Sequence, residues 1–445
     1  MARIFSVSGV RGIALKELGY GSASFYAQVY AFFLNAKRMV VGHDTRESYP
    51  QISGGVADGF NIMGCEVIDL GVAPTPTVVF MVRKLKADGG AVATASHNPP
   101  EWNGIKFITD RGEFLNEQEF RRFSVFVDFF NAYPSKMIEF MGYFGECKEY
   151  KNPYEEHIKE IINHFRLKNL GLRIGVDAVC GAGSKALPAL LEMAGCRVYK
   201  IHCNFKPRFP RPPEPMPENI TKLCALVKRY HLDLGFALDP DGDRLSIVDE
   251  KGNAIGEEKT LVLAADYILN RRKGPVVTNL STTSLMDYIA RKHKCPIHRT
   301  KVGEANVVAK MNEVRAVIGG EGNGGVIYPR INRTRDALTG VGIILKMLST
   351  TEKRLSEIVA SYPDYFMLKD KVGISREDFE KKRELILKKF RGQFDFTDGI
   401  RITERNNWIH IRPSNTEPIV RIIVEAKDKR KAKGLIDQAK EILQI

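Results

Sequence analysis

The chain has 445 residues, which at roughly 150 residues per domain argues against a single core. Hydrophobic residues make up 44% and charged residues 27%, a folded-protein mixture that excludes intrinsic disorder and a collagen-like repeat. The 67 Lys and Arg against 53 Asp and Glu leave a formal net charge of +14, which favours an anionic partner without saying which one.

In chain order, Met1-Ala2-Arg3 leads into a strand-like segment and not into the apolar core of a signal peptide. Short apolar runs follow at 38–41, 64–68 and 89–93, separated by helix-length segments, and the third enters Thr94-Ala95-Ser96-His97. The same order recurs at 172–176, 195–199 and 232–238, ending in Asp239-Pro240-Asp241-Gly242-Asp243. It recurs again at 275–277, 296–299 and 316–318, ending in Gly319-Gly320-Glu321-Gly322-Asn323-Gly324-Gly325. This pattern predicts three α/β units of one design with mostly parallel sheets. Ligands of such sheets bind beyond the carboxyl ends of the strands, where these three polar loops lie.

The first unit is expected to end near the aromatic-rich stretch 140–150, and the proline cluster at 207–217 reads as a loop. Beyond Leu368 the character changes. A charged helix at 376–390, strands at 399–403, 408–412 and 420–425, and a last helix at 430–443 predict a smaller α+β domain. The expected domains are 1–150, 151–255, 256–367 and 368–445.

No apolar run approaches the ~18 residues that cross a bilayer, so no membrane partner is expected and the protein is placed in the cytoplasm. Seven cysteines without a C-x-x-C pair predict a reducing compartment and neither a disulfide framework nor a zinc knuckle. The histidines form no H-x-x-x-H or H-E-x-x-H pattern. Basic clusters such as Lys381-Lys382-Arg383 read as solvated helix faces. With no basic recognition helix or aromatic-interleaved basic strand, nucleic acid is not an expected partner.

The loops carry the chemistry. Asp239-Pro240-Asp241-Gly242-Asp243-Arg244 sets three carboxylates at alternate positions, a repulsive arrangement that calls for a hard cation such as Mg²⁺ or Ca²⁺. Glu250 falls at the twelfth position of an EF-hand count, but Arg244 at the sixth replaces the Gly that loop requires. A serine before a turn is common, yet Ser96 ends an apolar strand ahead of Pro99 and is a candidate nucleophile or phosphoryl carrier, with His97 as a base or a turn residue. Glu321 and Asn323 on a glycine frame suit a polyol, or simply a sharp turn. Arg412, Ser414, Asn415 and Thr416, with Arg421 nearby, offer donors to a phosphate, though a polar hairpin would look similar. Arg11 and Lys106 are further cations near turns, or else surface ion-pair partners.

Together these motifs resemble the α-D-phosphohexomutase superfamily over nearly the whole chain. The motifs that carry the resemblance stand in the family's order: Ser8-Gly9-Val10-Arg11-Gly12, Thr94-Ala95-Ser96-His97-Asn98-Pro99 with Asn103-Gly104-Ile105-Lys106, the aspartate loop, Gly320-Glu321, and Arg412-Pro413-Ser414-Asn415-Thr416-Glu417-Pro418. Gly42-His43-Asp44-Thr45-Arg46, Pro213-Glu214-Pro215 and Lys301-Val302-Gly303 are smaller matches. The resemblance implies three mixed α/β domains and a C-terminal domain around one cleft. It implies a phosphoserine at Ser96 and Mg²⁺ held by Asp239, Asp241, Asp243 and a phosphoryl oxygen on Ser96. It further implies Arg11, Lys106 and Arg244 on the transferring phosphoryl group, Glu321 and Asn323 on sugar hydroxyls, and the Arg412 loop with Arg421 on the substrate phosphate. The implied reaction interconverts hexose 6-phosphate and hexose 1-phosphate through hexose 1,6-bisphosphate, with sugar phosphates as the partners.

The sugar loop departs from the common Gly-Glu-x-Ser-Gly-His form, with Asn323 and Gly325 replacing the Ser and the His. The resulting Gly-Glu-x-Asn-Gly-Gly form is similar to that of archaeal members assigned as phosphomannomutase, phosphoglucomutase or phosphoglucosamine mutase, whereas the C-terminal loop looks closer to phosphomannomutases. Mannose and glucose substrates are expected, phosphoglucosamine mutase being the alternative and a non-catalytic sugar-phosphate-binding protein the rival from another class.

Overall fold

A computed structural model of the chain describes residues 3–414 and 419–444. Its first sheet holds β1 (Ile4–Ser6), β2 (Gly9–Ile13), β3 (Arg38–His43), β4 (Glu66–Val72), β5 (Gly89–Ala93), β6 (Trp102–Thr109) and β7 (Cys147–Glu149), in the order β1-β2-β6-β5-β3-β4-β7. The second holds β8 (Arg173–Asp177), β9 (Arg197–Ile201), β10 (Leu234–Leu238) and β11 (Leu245–Val248), ordered β11-β10-β8-β9. The third holds β12 (Val276–Asn279), β13 (Ile297–Thr300), β14 (Ile318–Glu321) and β15 (Gly325–Ile327), ordered β13-β12-β14-β15.

The repeat is visible in the pairing. In each unit two strands flank the first in parallel, as β4 and β5 flank β3, and a fourth strand turns back antiparallel on the third. The parallel strands are the three runs legible in the sequence. The returning strands were not singled out there: β15 has three residues and β11 four, too few to display an alternation. Lys106, read as lying near a turn, sits inside β6. Strand β5, Gly-Gly-Ala-Val-Ala, is buried throughout, as expected of a central strand covered on both faces.

The third-to-fourth turns of the three units converge because the units share packing. One hydrophobic cluster runs through the second and third units, and the helix Ala337–Leu348, buried nearly all round, packs against the helices Tyr154–Phe165 and Glu258–Arg271. At the meeting point of all three units, buried His157 stands 2.9 Å from Asp336 and 3.2 Å from the Thr77 hydroxyl.

The C-terminal sheet is antiparallel, with β16 (Phe366–Val372), β17 (Gln393–Asp395), β18 (Ile400–Glu404), β19 (Asn407–Pro413) and β20 (Val420–Ala426) ordered β16-β20-β19-β18-β17. The helices Arg376–Lys389 and Lys429–Gln444 share its core. Five strands stand where three were expected; the two additional ones are the edges, and charged Lys369-Asp370-Lys371 masks the apolar alternation of β16. Buried Glu425 ties this domain to the third unit, accepting from Trp408 Nε1 at 2.9 Å, from the Ser284 amide at 2.8 Å and from the Thr283 hydroxyl. Among the described residues no helix is long and apolar enough to cross a membrane, and all seven cysteines are free.

Candidate active site

Ser96 follows β5 with φ at +50°, a left-handed conformation that costs a non-glycine residue about 1–2 kcal/mol. The surrounding contacts hold it there. Its amide donates to Thr94 Oγ1 at 2.9 Å, and Thr94 Oγ1 donates to Asp44 Oδ2 at 2.6 Å. The fully buried Arg46 guanidinium pairs with Asp44 and donates to the carbonyls of Ser96, Asn98, Pro99 and Trp102 at 2.6 to 3.0 Å. The Ser96 hydroxyl donates to Asp239 Oδ2 at 3.1 Å.

Asp239, Asp241 and Asp243 are all buried, with one carboxylate oxygen of each within 4.8 Å of the others. Asp239 Oδ1 accepts the amides of Asp243 and Arg244, which shapes the loop. Asp241 Oδ2 accepts from Lys106 Nζ at 2.7 Å and Thr75 Oγ1 at 2.8 Å. Asp243 Oδ2 accepts from Arg335 at 2.6 Å and Lys106 at 3.3 Å. The remaining oxygens, Asp241 Oδ1 and Asp243 Oδ1, are buried without a hydrogen-bond partner, Arg244 Nε standing 3.8 Å from the latter, the expected mark of a cation site with all-oxygen donors. Burial pushes the Asp239 carboxyl well above its ordinary value, with Asp243 and Asp241 adding to it. Burial acts in the same sense on Asp241, but Lys106 and its hydrogen-bond partners outweigh it and hold that carboxyl low. The residues therefore fit a divalent ion, which would relieve the mutual repulsion.

A cleft of about 860 Å³ opens beside this cluster, lined by Arg11, His97, Lys106, Arg244, Glu321, Asn323, Arg412, Ser414 and Arg421. Arg11 donates to Asn98 Oδ1 at 2.9 Å. Arg244 pairs with Glu214 and donates to His97 Nδ1 at 2.8 Å; burial, then Arg244 and Arg11, hold His97 well below its usual range, so its ring is neutral. Glu321 ends β14 and accepts from Asn279 at 2.8 Å, the Gly303 amide at 3.0 Å and Arg335 at 3.1 Å. Asn323 Oδ1 accepts the Gly325 amide at 3.2 Å. Arg412 and Arg421 are cross-strand partners on β19 and β20, and Arg412 Nε donates to Asp398 Oδ2 at 3.0 Å. Asn415 and Thr416 lie outside the described residues.

Sequence reasoning passed over three residues. Arg46 lay inside a minor motif. Arg335 and Glu258 sit in segments with no motif at all, yet both line the cleft. A Cβ at Gly322 would fall 1.9 Å from Glu258 Oε2, so the carboxylate from the helix Glu258–Arg271 fills the place of a side chain on the sugar loop. Burial raises Glu258 to about 7 against the opposing pull of Lys369, which donates to it at 3.1 Å. Their signal would have been polar residues at the start of buried helices, which a pattern of apolar periods does not weigh.

Four models of phosphoglucomutase/phosphomannomutase domains match the chain: alpha/beta/alpha domain I at 2–122, domain II at 152–252, domain III at 257–365 and the C-terminal domain at 372–442. A phosphoglucomutase/phosphomannomutase of Thermococcus kodakarensis is 35% identical over 100% of this chain and 99% of its own length. A probable phosphoglucosamine mutase of Methanopyrus kandleri is 32% identical over 100% and 98%. Among solved structures, a phosphoglucomutase/phosphomannomutase family protein of Burkholderia thailandensis superposes with a TM-score of 0.85 at 25% identity, covering 99% of this chain and 97% of that one.

Proposed function

Because the chain belongs to the phosphoglucomutase/phosphomannomutase family and is a phosphomutase, an isomerase acting by intramolecular phosphotransfer, we propose that it interconverts hexose 6-phosphate and hexose 1-phosphate, with mannose and glucose preferred. In this reading Ser96 carries a phosphoryl group. A substrate hydroxyl oxygen attacks the phosphorus, the bond to Ser96 Oγ breaks, the hydroxyl's proton ends on Ser96 Oγ, and hexose 1,6-bisphosphate forms in the cleft. The bisphosphate turns round, Ser96 Oγ takes the other phosphoryl group as its proton passes to the sugar oxygen released, and the isomeric monophosphate leaves.

Each residue has a task in that cycle. Arg46 and Thr94 hold the Ser96 backbone, and with it the position of Oγ, before attack, which lowers the entropic part of the barrier. Arg11, Lys106 and Arg244 offset charge on the equatorial phosphoryl oxygens. Asp239, Asp241 and Asp243 would hold Mg²⁺, which when bound supplies further charge neutralisation there. Glu321 and Asn323 orient the sugar ring, while Arg412, Ser414, Asn415, Thr416 and Arg421 grip the phosphate that is not transferred. The cleft lies between domains read as 1–150, 151–255, 256–367 and 368–445, the last hinging to exclude bulk water during reorientation.

The observation that most supports this reading is the Ser96 hydroxyl held on Asp239 beside two unpartnered aspartate oxygens and a cation-lined cleft. A ³¹P NMR time course with Mg²⁺ and a trace of hexose 1,6-bisphosphate, offering mannose, glucose and glucosamine 1-phosphates separately, tests it. Growth of a 6-phosphate signal is expected; no conversion of any of the three would favour a sugar-phosphate-binding protein without turnover.

One observation favours a 2-amino hexose phosphate as the second reading. The Glu258 carboxylate stands where a side chain of Gly322 would and lines the cleft together with Glu321, and an ammonium group is what a pair of carboxylates recognises. The ranking of the three initial rates decides between these substrates.

A further inference from the structure

Arg335 uses all three guanidinium nitrogens on carboxylates from three separate segments: the aspartate loop, the end of β14 and the start of the helix Glu304–Val314. Its NH2 donates to Asp243 Oδ2 at 2.6 Å, its NH1 to Glu321 Oε2 at 3.1 Å and its Nε to Glu304 Oε2 at 3.1 Å. The side chain is nine-tenths buried. It runs through the place a side chain at position 325 would take: a Cβ on Gly325 would fall 2.3 Å from Arg335 Cδ. Gly325 lies in β15 with no left-handed backbone, so space for Arg335, and not conformation, is what requires a glycine there.

We propose that Arg335 is the positioning residue that fixes the sugar loop against the metal loop, holding Glu321 at the angle that reads the sugar while its bond to Asp243 Oδ2 leaves Oδ1 to the cation. The inference rests on the phosphohexomutase reading and adds to it a residue outside every motif. A planar, permanently charged fork suits this task because it holds two carboxylates at a set angle, where an ammonium group would meet them at one point. Asp243 reaches Arg335 only through Oδ2, so the oxygen left for the cation is not consumed.

The test is calorimetric and needs no turnover. In a Ser96→Ala background, Mg²⁺ and the tightest-binding of mannose, glucose and glucosamine 1-phosphates are titrated separately into the parent, Arg335→Gln and Gly325→Ala. Gly325→Ala keeps the charge and displaces the guanidinium, so it decides the matter even where Arg335→Gln does not fold. Both variants are expected to bind the sugar phosphate about tenfold more weakly or worse, with Mg²⁺ affinity held or increased in Arg335→Gln, which removes a competing positive charge. Sugar-phosphate affinity within twofold of the parent overturns the proposal, as does loss of Mg²⁺ binding in parallel with it, which would mark a general structural support. A parent that binds none of the three sugar phosphates overturns the phosphohexomutase reading together with this inference.

Discussion

The Ser96 hydroxyl donates to Asp239 Oδ2 at 3.1 Å, joining the ends of β5 and β10 across 143 positions of sequence. A phosphoryl group on that oxygen would face the carboxylate cluster and repel it unless a cation lay between them. Ser96→Ala is accordingly expected to reduce turnover to background while the melting curve and sugar-phosphate affinity stay near those of the parent. Steady-state assay beside calorimetry checks this, and near-parental turnover would remove the phosphoserine from the mechanism.

Asp241 offers one unpartnered oxygen, and Lys106 and Thr75 occupy the other. Asp241→Asn keeps the shape and loses the residue's negative charge, so the Mg²⁺ concentration for half-maximal activation should rise about 100-fold or more. A chelator should abolish parental activity reversibly. An unchanged activation curve in the variant would take this loop out of the metal site.

Arg46 touches no part of the cleft, yet four carbonyls of the Ser96 loop rest on it. Arg46→Lys retains the charge beside Asp44 and loses the fork, and a displacement of the loop by about 1 Å would lower kcat by about 100-fold. KM for the sugar phosphate should change little. Arg46→Met also strands buried Asp44, at a cost of about 3–5 kcal/mol in denaturant unfolding.

Glu258 has its carboxyl raised to about 7 by burial. It is ionised above that pH and neutral below, so preference for glucosamine 1-phosphate over glucose 1-phosphate should grow as pH rises through 7. Glu258→Gln should flatten that profile and cost the amino sugar about tenfold in kcat/KM. A profile that keeps its parental rise in the variant would assign the discrimination elsewhere.

His410 joins the C-terminal domain to the third unit, with Ser281 Oγ 2.8 Å from Nδ1 and the Asp398 carbonyl 2.5 Å from Nε2. Burial, aided by Arg412 and Arg401, lowers it to about 4 from an ordinary 6.5. Between these values the unfolded chain binds the proton and the folded one does not, so stability is full above pH 6.5 and is lost as pH falls toward 4. Thermal melts from pH 7 to 4.5 should show a shallower acid slope for His410→Gln than for the parent.

The threefold strand order, Ser96, the aspartate loop and the glycine-framed Glu321 were all legible in the chain, because each is a contiguous run whose local period or composition bears its meaning. Lys106 and the C-terminal edge strands were legible only as residues, since a short or charged strand is made by its neighbour and not by its own pattern. The partners belong to tertiary structure alone. Arg335 and Asp243 are 92 positions apart, and Arg46 and Asn98 are 52. An arginine in a polar segment reads as a surface charge until folding brings carboxylates or carbonyls around it and removes the water that would otherwise have solvated it.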